Sequence, residues 1–356
     1  MKEKRITFTG GGTAGHVIVN LALIPYFLEK GWKVDYIGSK EGIERELINQ
    51  IDDITYYPIS TGKLRRYMSL ENMKDPFRVL KGVAQAWKII RKTKPNVVFS
   101  KGGFVSVPVV VGARFRRVPT IIHESDISPG LANKLAAPFA KQMLTTFPET
   151  VDHVKKKNTR YVGPIIREEL FTGDKTEGYR LTNFTREKPV LLIMGGSIGS
   201  QKINEAIRSI LPNLLSSFQL LHICGKGNVD ESINELGYAQ FEYVNDELKH
   251  LFSIADYVIS RAGANAIFEL LALQLPMLLI PLSLGASRGD QIENAQSFAN
   301  KEIAHVMEEE EMTSESLLEA IHKLVKDEVK LKKQMAQYNS RASRDEVIKI
   351  IKDIAK

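Results

Sequence analysis

The stretch Thr9-Gly10-Gly11-Gly12-Thr13-Ala14-Gly15-His16 constrains this chain more than any other. It follows a short β-run, Arg5-Ile6-Thr7-Phe8, and opens a helical pattern from about Gly15 to Lys30. Glycines let the backbone turn tightly and bring N–H groups close to an anion, and the helix start adds the positive end of its dipole. A second such unit recurs in the later half, where Val190-Leu191-Leu192-Ile193-Met194 runs into Gly195-Gly196-Ser197-Ile198-Gly199. Two phosphate seats imply two similar halves facing each other across a cleft.

The rest of the chain supports that plan. Its 356 residues suit two domains, and 43% hydrophobic residues suit an ordinary globular fold. Short β-branched runs alternate with helical stretches, the pattern of parallel sheets covered on both faces by helices. Strands are expected at Ile6–Thr9, Val34–Ile37, Val97–Ser100, Thr120–His123 and Met143–Thr146. In the second half they are expected at Val190–Met194, Gln219–Cys224, Phe241–Val244, Tyr257–Ser260 and Met277–Pro281. Gly163-Pro164 breaks the pattern, so the domains are expected over 1–164 and 165–342, with a last helix over 343–356 returning to the first.

The single cysteine, Cys224, excludes an internal disulfide and a cysteine-cluster metal site, and fits a reducing compartment. The segment Met1-Lys2-Glu3-Lys4-Arg5 leads straight into a strand without a signal-peptide pattern, so a cytosolic protein is expected. The longest apolar region, Leu270 to Leu284, is interrupted by Gln274, Pro276 and Pro281 and does not span a membrane. A net charge of +7 favours an acidic partner: nucleic acid, an anionic membrane or a phosphorylated substrate.

Each motif admits more than one chemistry. Gly10, Gly12 and Gly15 match the dinucleotide fingerprint, but Asp35 falls within its strand, whereas the ribose-binding acid belongs at a strand end. His16, at a helix start that keeps imidazole neutral, is the first candidate for a general base; a phosphate-binding or turn-capping histidine is the alternative. Gly195-x-Ser197-x-Gly199 also fits a nucleophile elbow, although His222, His250, His305 and His322 lack a recognisable acid–histidine context. In Ser260-Arg261-Ala262-Gly263-Ala264-Asn265-Ala266-Ile267-Phe268-Glu269, small residues admit a ligand to a helix start, and Glu269 can accept both hydroxyls of a ribose. Ser283, Arg288, Asp290, Gln291 and Asn294 then supply polar groups that suit a sugar.

Taken together the motifs are specific. Gly-Gly-Thr-Ala-Gly-His, Ser100-Lys101-Gly102-Gly103-Phe104-Val105-Ser106, His123-Glu124, Pro129-Gly130-Leu131-Ala132-Asn133-Lys134, Gly195-Gly196-Ser197, Arg261-Ala262-Gly263 through Glu269, and Asp290-Gln291 with Asn294-Ala295 stand in one order. Over essentially its whole length the chain resembles the MurG family of bacterial glycosyltransferases. The resemblance implies an α/β protein of GT-B fold, with two Rossmann-like domains, the acceptor on the first and the nucleotide sugar on the second. It implies inverting transfer of N-acetylglucosamine from UDP-N-acetylglucosamine to the C4 hydroxyl of N-acetylmuramic acid in lipid I, forming lipid II for peptidoglycan.

By the same resemblance Arg167 and Ser197 would hold donor phosphates or their surroundings. Glu269 would hold the ribose, Gly263, Ala264, Asn265 and Ala266 the diphosphate at a helix start, and Gln291 the sugar. Gly12, Thr13, Ala14 and Gly15 would take the acceptor diphosphate, with His16 or His123 near the reacting hydroxyl. Two departures, Ser125-Asp126 for Gln-Asn and Asp290 for Gln, put carboxylates near the expected sugar, where they accept but do not donate hydrogen bonds. Metal-dependent glycosyltransferases commonly use Asp-x-Asp, which this sequence lacks, so no essential metal and no cofactor are expected. The alternatives are a nicotinamide or flavin oxidoreductase and a nucleotide-sugar epimerase or sensor.

A lipid-linked acceptor must be met at a membrane. From Lys63 to Lys92 nine basic residues face two acidic ones. In the helix predicted after Pro76, Arg78, Lys81, Gln85, Lys88 and Lys92 share one face, and Phe77, Leu80, Ala84, Trp87 and Arg91 another. A basic face beside apolar residues suits anionic headgroups. The other reading packs Leu80, Val83 and Trp87 onto the sheet. Arg114-Phe115-Arg116-Arg117 extends the patch. The expected partners are therefore UDP-N-acetylglucosamine, lipid I, the cytoplasmic membrane face and cell-wall synthesis proteins, with no nucleic acid.

Overall fold

The computed structural model describes residues 3–62, 75–154, 158–196, 199–338 and 342–356. The chain forms two compact units, Met1–Arg167 with Ser340–Lys356, and Glu168–Asn339. Each is a wholly parallel sheet covered by helices.

In the first unit the strands are β1 (Arg5–Thr9), β2 (Lys33–Ser39), β3 (Ile54–Ile59), β4 (Val97–Ser100), β5 (Thr120–Glu124), β6 (Gln142–Thr145) and β7 (Thr159–Tyr161). Their spatial order is β3-β2-β1-β4-β5-β6-β7. The order reverses between β1 and β4, where Thr9 lies beside Ser100. Such a switch point leaves a crevice at the carboxyl ends of the strands, the usual place for a ligand in this class of sheet. The helices used below are α1 (Gly15–Glu29), α2 (Ile43–Ile48), α3 (Asp75–Thr93), α4 (Ser106–Phe115) and α5 (Leu131–Ala136).

The second unit repeats the plan with β8 (Val190–Met194), β9 (Gln219–Ile223), β10 (Tyr238–Phe241), β11 (Tyr257–Ser260), β12 (Met277–Leu279) and β13 (His305–Val306), ordered β10-β9-β8-β11-β12-β13. Its switch point lies between β8 and β11. Buried on both faces, the central strands are almost continuously apolar, as in Val190-Leu191-Leu192-Ile193. Ile203 and Ile207 from the helix Gln201–Ser209, and Leu317 and Ile321 from Ser314–Lys326, complete that core.

The last helix, Ala342–Ile354, belongs to the first unit. Val347, Ile348 and Ile351 join Ile6, Phe8, Phe27 and Phe99 in one core, and Arg344 Nε donates to the Ala22 carbonyl at 3.0 Å. The division falls at Arg167, three residues beyond Pro164, because Val162 and Ile165 still pack in that core.

Three details correct the sequence reading. The strand expected at Phe241–Val244 is at Tyr238–Phe241: Gly237, at φ +86°, makes the turn before it, and the Tyr238 hydroxyl lies 2.9 Å from His222 Nδ1. β3, β7 and β13 were not expected. All three are edge strands, and β3 carries Pro58, which an edge tolerates. On α3 the covered stripe is Asp75, Gly82, Ala86 and Ile90. Gln85 is not on an exposed basic face, since its Oε1 accepts from Ser60 N–H at 2.7 Å. Leu80 does not pack on the sheet; it is 66% exposed, and Phe77 74%.

Candidate active site

The first glycine-rich turn is held from behind by side chains. Asn20 Nδ2 donates to the Thr9 carbonyl at 3.2 Å, and the Tyr36 hydroxyl donates to the Gly10 carbonyl at 2.7 Å. Gly12, at φ +89°, takes the left-handed conformation the turn requires. Its N–H donates to Glu44 Oε2 at 3.1 Å. In this arrangement that amide faces Glu44, and the other side of Gly12 borders open space. Thr13, Ala14 and Gly15 remain at the start of α1. Thr13 Oγ1 lies 3.1 Å from His16 Nδ1 and orients the ring, which is half-buried.

At the end of β5 the two expected histidine roles separate. His123 is completely buried, and neither ring nitrogen has a hydrogen-bond partner among the described residues. Burial, then the charge of Lys101, holds its pKa well below the ordinary histidine value. The ring of His123 is thus closed off in this arrangement, whereas that of His16 is half-buried. Lys101 is itself buried; burial lowers its pKa, while Glu124 and Asp126 oppose that shift. Glu124 accepts from Ser125 N–H at 2.9 Å, Asp126 N–H at 3.2 Å, Gly130 N–H at 2.8 Å and Asn133 Nδ2 at 3.0 Å. It shapes the loop that carries Asp126.

In the second unit the turn after β8 has Gly196 and Gly199 at φ +90° and +81°. Ser197 lies outside the described residues. Ser200 caps the helix Gln201–Ser209, its Oγ accepting from Ile203 N–H at 3.4 Å. The same Oγ accepts from Arg261 Nη2 at 2.6 Å. Arg261 is buried at the end of β11; its Nη1 donates to the Ile280 and Pro281 carbonyls, each at 3.1 Å, and its Nη2 to Glu309. Lys202 pairs with the other Glu309 oxygen at 2.9 Å. Burial works against ionisation of Glu309, but these bonds outweigh it and hold its carboxyl below the usual range.

Nearby, the helix Ala264–Ala272 starts at Gly263 without a side-chain cap, and open space surrounds that glycine. Asn265 and Ala266 are half-buried there, whereas Glu269 is nearly covered, at 5% exposure. Gln291 Oε1 accepts from Leu282 N–H at 3.1 Å, fixing the loop beside it. Asp290 opens the helix Asp290–Asn300, where its charge suits the dipole. Arg167 ends the first unit rather than opening the second.

Two alternative chemistries lose their groups. Asp35 is held in both oxygens by Arg5 Nη1, at 3.0 and 3.1 Å, so it is not offered to a ribose. His222, the histidine nearest in sequence to the second turn, spends its ring nitrogens on Tyr238 and on Asn204 Oδ1 at 3.0 Å. The roles of Glu44, Lys101 and Glu309 were not foreseen. Only the glycines at 38 and 42 around Glu44 hint that this charge lies against backbone.

Two doubly wound parallel sheets with glycine-rich turns at their switch points are the architecture of the GT-B fold. Residues 6–145 match the glycosyltransferase family 28 N-terminal domain, and residues 190–352 match the C-terminal domain of that family. The UDP-N-acetylglucosamine:N-acetylmuramyl-(pentapeptide) pyrophosphoryl-undecaprenol N-acetylglucosamine transferase of Oceanobacillus iheyensis is 60% identical over 99% of both chains. The enzyme of the same name from Geobacillus thermodenitrificans is 58% identical over 99% of this chain and 100% of its own. The crystal structure of Acinetobacter baumannii MurG superposes with a TM-score of 0.75 over 99% of each chain, at 23% identity. A putative UDP-N-acetylglucosamine 2-epimerase from Listeria monocytogenes shares the fold alone, at 10% identity and a TM-score of 0.69 over 98% of this chain and 95% of its own. This chain belongs to glycosyltransferase family 28 and, within it, to the MurG family.

Proposed function

We infer that the chain transfers N-acetylglucosamine from UDP-N-acetylglucosamine to the C4 hydroxyl of N-acetylmuramic acid in lipid I, giving lipid II and UDP with inversion. The observation that carries this reading is 60% identity over 99% of the chain to a transferase of that name. The second unit takes the donor: Ser197 and the uncapped helix start at Gly263–Ala266 receive the diphosphate, Glu269 the ribose, and Gln291 and Asp290 the sugar. The first unit takes the acceptor at Thr13, Ala14 and Gly15, with Asp126 near its sugar. His16 removes the C4 proton as that oxygen bonds to the anomeric carbon. The bond to UDP breaks, and the departing negative charge falls on the diphosphate, where helix amides are already oriented. No Asp-x-Asp motif is available to hold a metal, so the reaction proceeds without an essential one.

The same reading places the chain peripherally on the cytoplasmic membrane face. No helix among the described residues is long and apolar enough to cross a membrane. On α3, Phe77 and Leu80 are exposed beside Arg78, Lys81 and Lys88, and Trp87 lies between the Arg91 and Arg116 guanidinium groups, each 5.5 Å from its ring. Phe115, on the adjoining α4, is also exposed. Aromatic and aliphatic side chains ringed by cations fit an anionic interface. Replacing Phe77 and Leu80 by Ser is expected to weaken binding to anionic vesicles by about 10-fold or more; unchanged binding would remove α3 as the anchor.

The deciding assay is UDP release from UDP-N-acetylglucosamine with and without a lipid I analogue, followed by mass analysis. Analogue-dependent release with one added N-acetylhexosamine supports the transfer. UDP-N-acetylglucosamine that binds without modifying the analogue overturns the acceptor assignment and leaves the donor unit standing.

A further inference from the structure

Behind the first turn lies a carboxylate that the reaction as described does not use. Glu44, on α2, is completely buried. Its Oε1 accepts from both Ser39 N–H, at 2.9 Å, and Ser39 Oγ, and its Oε2 accepts from Gly12 N–H at 3.1 Å. It forms no ion pair among the described residues. Three glycines make its walls, since a Cβ on Gly11 or Gly42 would collide with the carboxylate and one on Gly38 would press on its Cγ. A buried carboxylate without a cation is costly unless donors converge on both oxygens, and here they do.

We propose that Glu44 is a positioning residue for transfer: its carboxylate fills the turn's inner anion seat and thereby fixes Thr13 and His16 for the acceptor. This rests on the placing of the acceptor at Thr13–His16. A free anion would order such a turn only when bound, whereas an internal carboxylate orders it beforehand, so the acceptor meets a preformed site. The residue must accept on both sides. Glutamine has nearly the same shape but turns an NH2 toward either the Gly12 or the Ser39 donors, which opens one end of the clamp. Glu44 does not touch the acceptor. It acts through the Gly12 backbone, four residues from the proposed base.

The test is steady-state kinetics of Glu44→Gln with a lipid I analogue, with UDP binding measured by calorimetry on the same preparation. UDP stoichiometry counts molecules with a folded second unit, and the near-ultraviolet circular dichroism of Trp32 and Trp87, both in the first unit, reports the folding of the first, so activity per folded molecule separates positioning from loss of protein. The expected result is a fall in kcat/KM for the analogue of about 10²-fold, with UDP affinity held within about twofold. Wild-type kcat/KM per site would overturn the proposal, as would an equal loss in UDP affinity. Ser39→Ala removes one of the clamp's donors, and the expected loss of acceptor kcat/KM is about 2- to 10-fold. Should Glu44→Gln fail to fold, Ser39→Ala decides: no change sinks the proposal. Thr13→Ala separates the two layers of the argument. A defect there with none in Glu44→Gln leaves the acceptor site standing without Glu44, and no defect in either removes both.

Discussion

Both glycine-rich turns follow the first strand of a parallel sheet, stand at its switch point and run into a helix, yet the side chains behind them carry opposite charge. Behind Gly10–Gly12 is Glu44, buried and without a cation partner among the described residues. Behind Gly195–Gly199 is Arg261, fixed to the helix cap Ser200 and balanced by Glu309, which Lys202 also engages. The second cluster carries a net positive charge and stands in the unit whose uncapped helix start suits a diphosphate. The first carries a negative one and closes from behind the turn that holds His16, the proposed acceptor of the hydroxyl proton. One backbone plan thus serves two tasks because different side chains close it from behind.

The largest way to break this comparison is to remove a charge from the second turn. Glu309→Ala strands Arg261 in the interior, at a cost to stability of about 3–5 kcal/mol. It should also weaken UDP binding, because Ser200 and the Pro281 carbonyl lose their common anchor. Glu309→Gln keeps an acceptor for Arg261 and should lose less. Denaturant unfolding with calorimetric UDP titration checks both. If Glu309→Ala binds UDP as the wild type does, Arg261 does not organise the donor turn.

Next is the base on the first turn. His16→Ala is expected to lower turnover at saturating substrates by about 10²-fold or more, with UDP affinity unchanged. His123→Ala in the same assay sharpens the point. A histidine buried at 0% exposure contributes through packing, so its loss should appear first as a lower Tm. Turnover untouched by His16→Ala would exclude it as the base.

Much of this was legible in the sequence, and the limits have physical causes. Central strands such as Val190–Met194 are apolar on both faces and show themselves as β-branched or aliphatic runs. Edge strands do not. The two residues of β13 are a strand only because His305 and Val306 register against Leu278 and Leu279. Helical spacing gave the faces of α3 but not which face was covered. The sheet side was decided by Gly82, where a Cβ would strike the Ser60 carbonyl, and by Gln85 at the same place. Of the site, the turns and the Ala264 helix start were visible as glycine and small-residue patterns. Glu44 was not, because Glu41-Gly42-Ile43-Glu44-Arg45-Glu46 looks like a solvated charged helix until the fold brings β2 and the turn against it.

The smallest effect concerns the histidines that each unit buries in its sheet, and it refines the comparison at a second level. Among the described residues His123 in β5 has no hydrogen-bond partner for either nitrogen, whereas His222 in β9 has one for each. Burial, followed by the Arg208 charge, pushes the His222 pKa down to about 3, and burial with Lys101 depresses His123 as well. In the unfolded chain each titrates near the ordinary value, about 6.5. Below that pH the unfolded state binds a proton that the folded state does not, so stability is complete above it and falls as the solution is acidified toward the folded pKa. Each histidine should contribute a slope of about 1.4 kcal/mol per pH unit in that window. His222→Gln can still hydrogen-bond Tyr238 and Asn204 but takes up no proton. Chemical denaturation between pH 7 and 5 should therefore show the second unit losing that slope while the first keeps its own; equal slopes in wild type and variant would mean that His222 does not stay neutral in the fold.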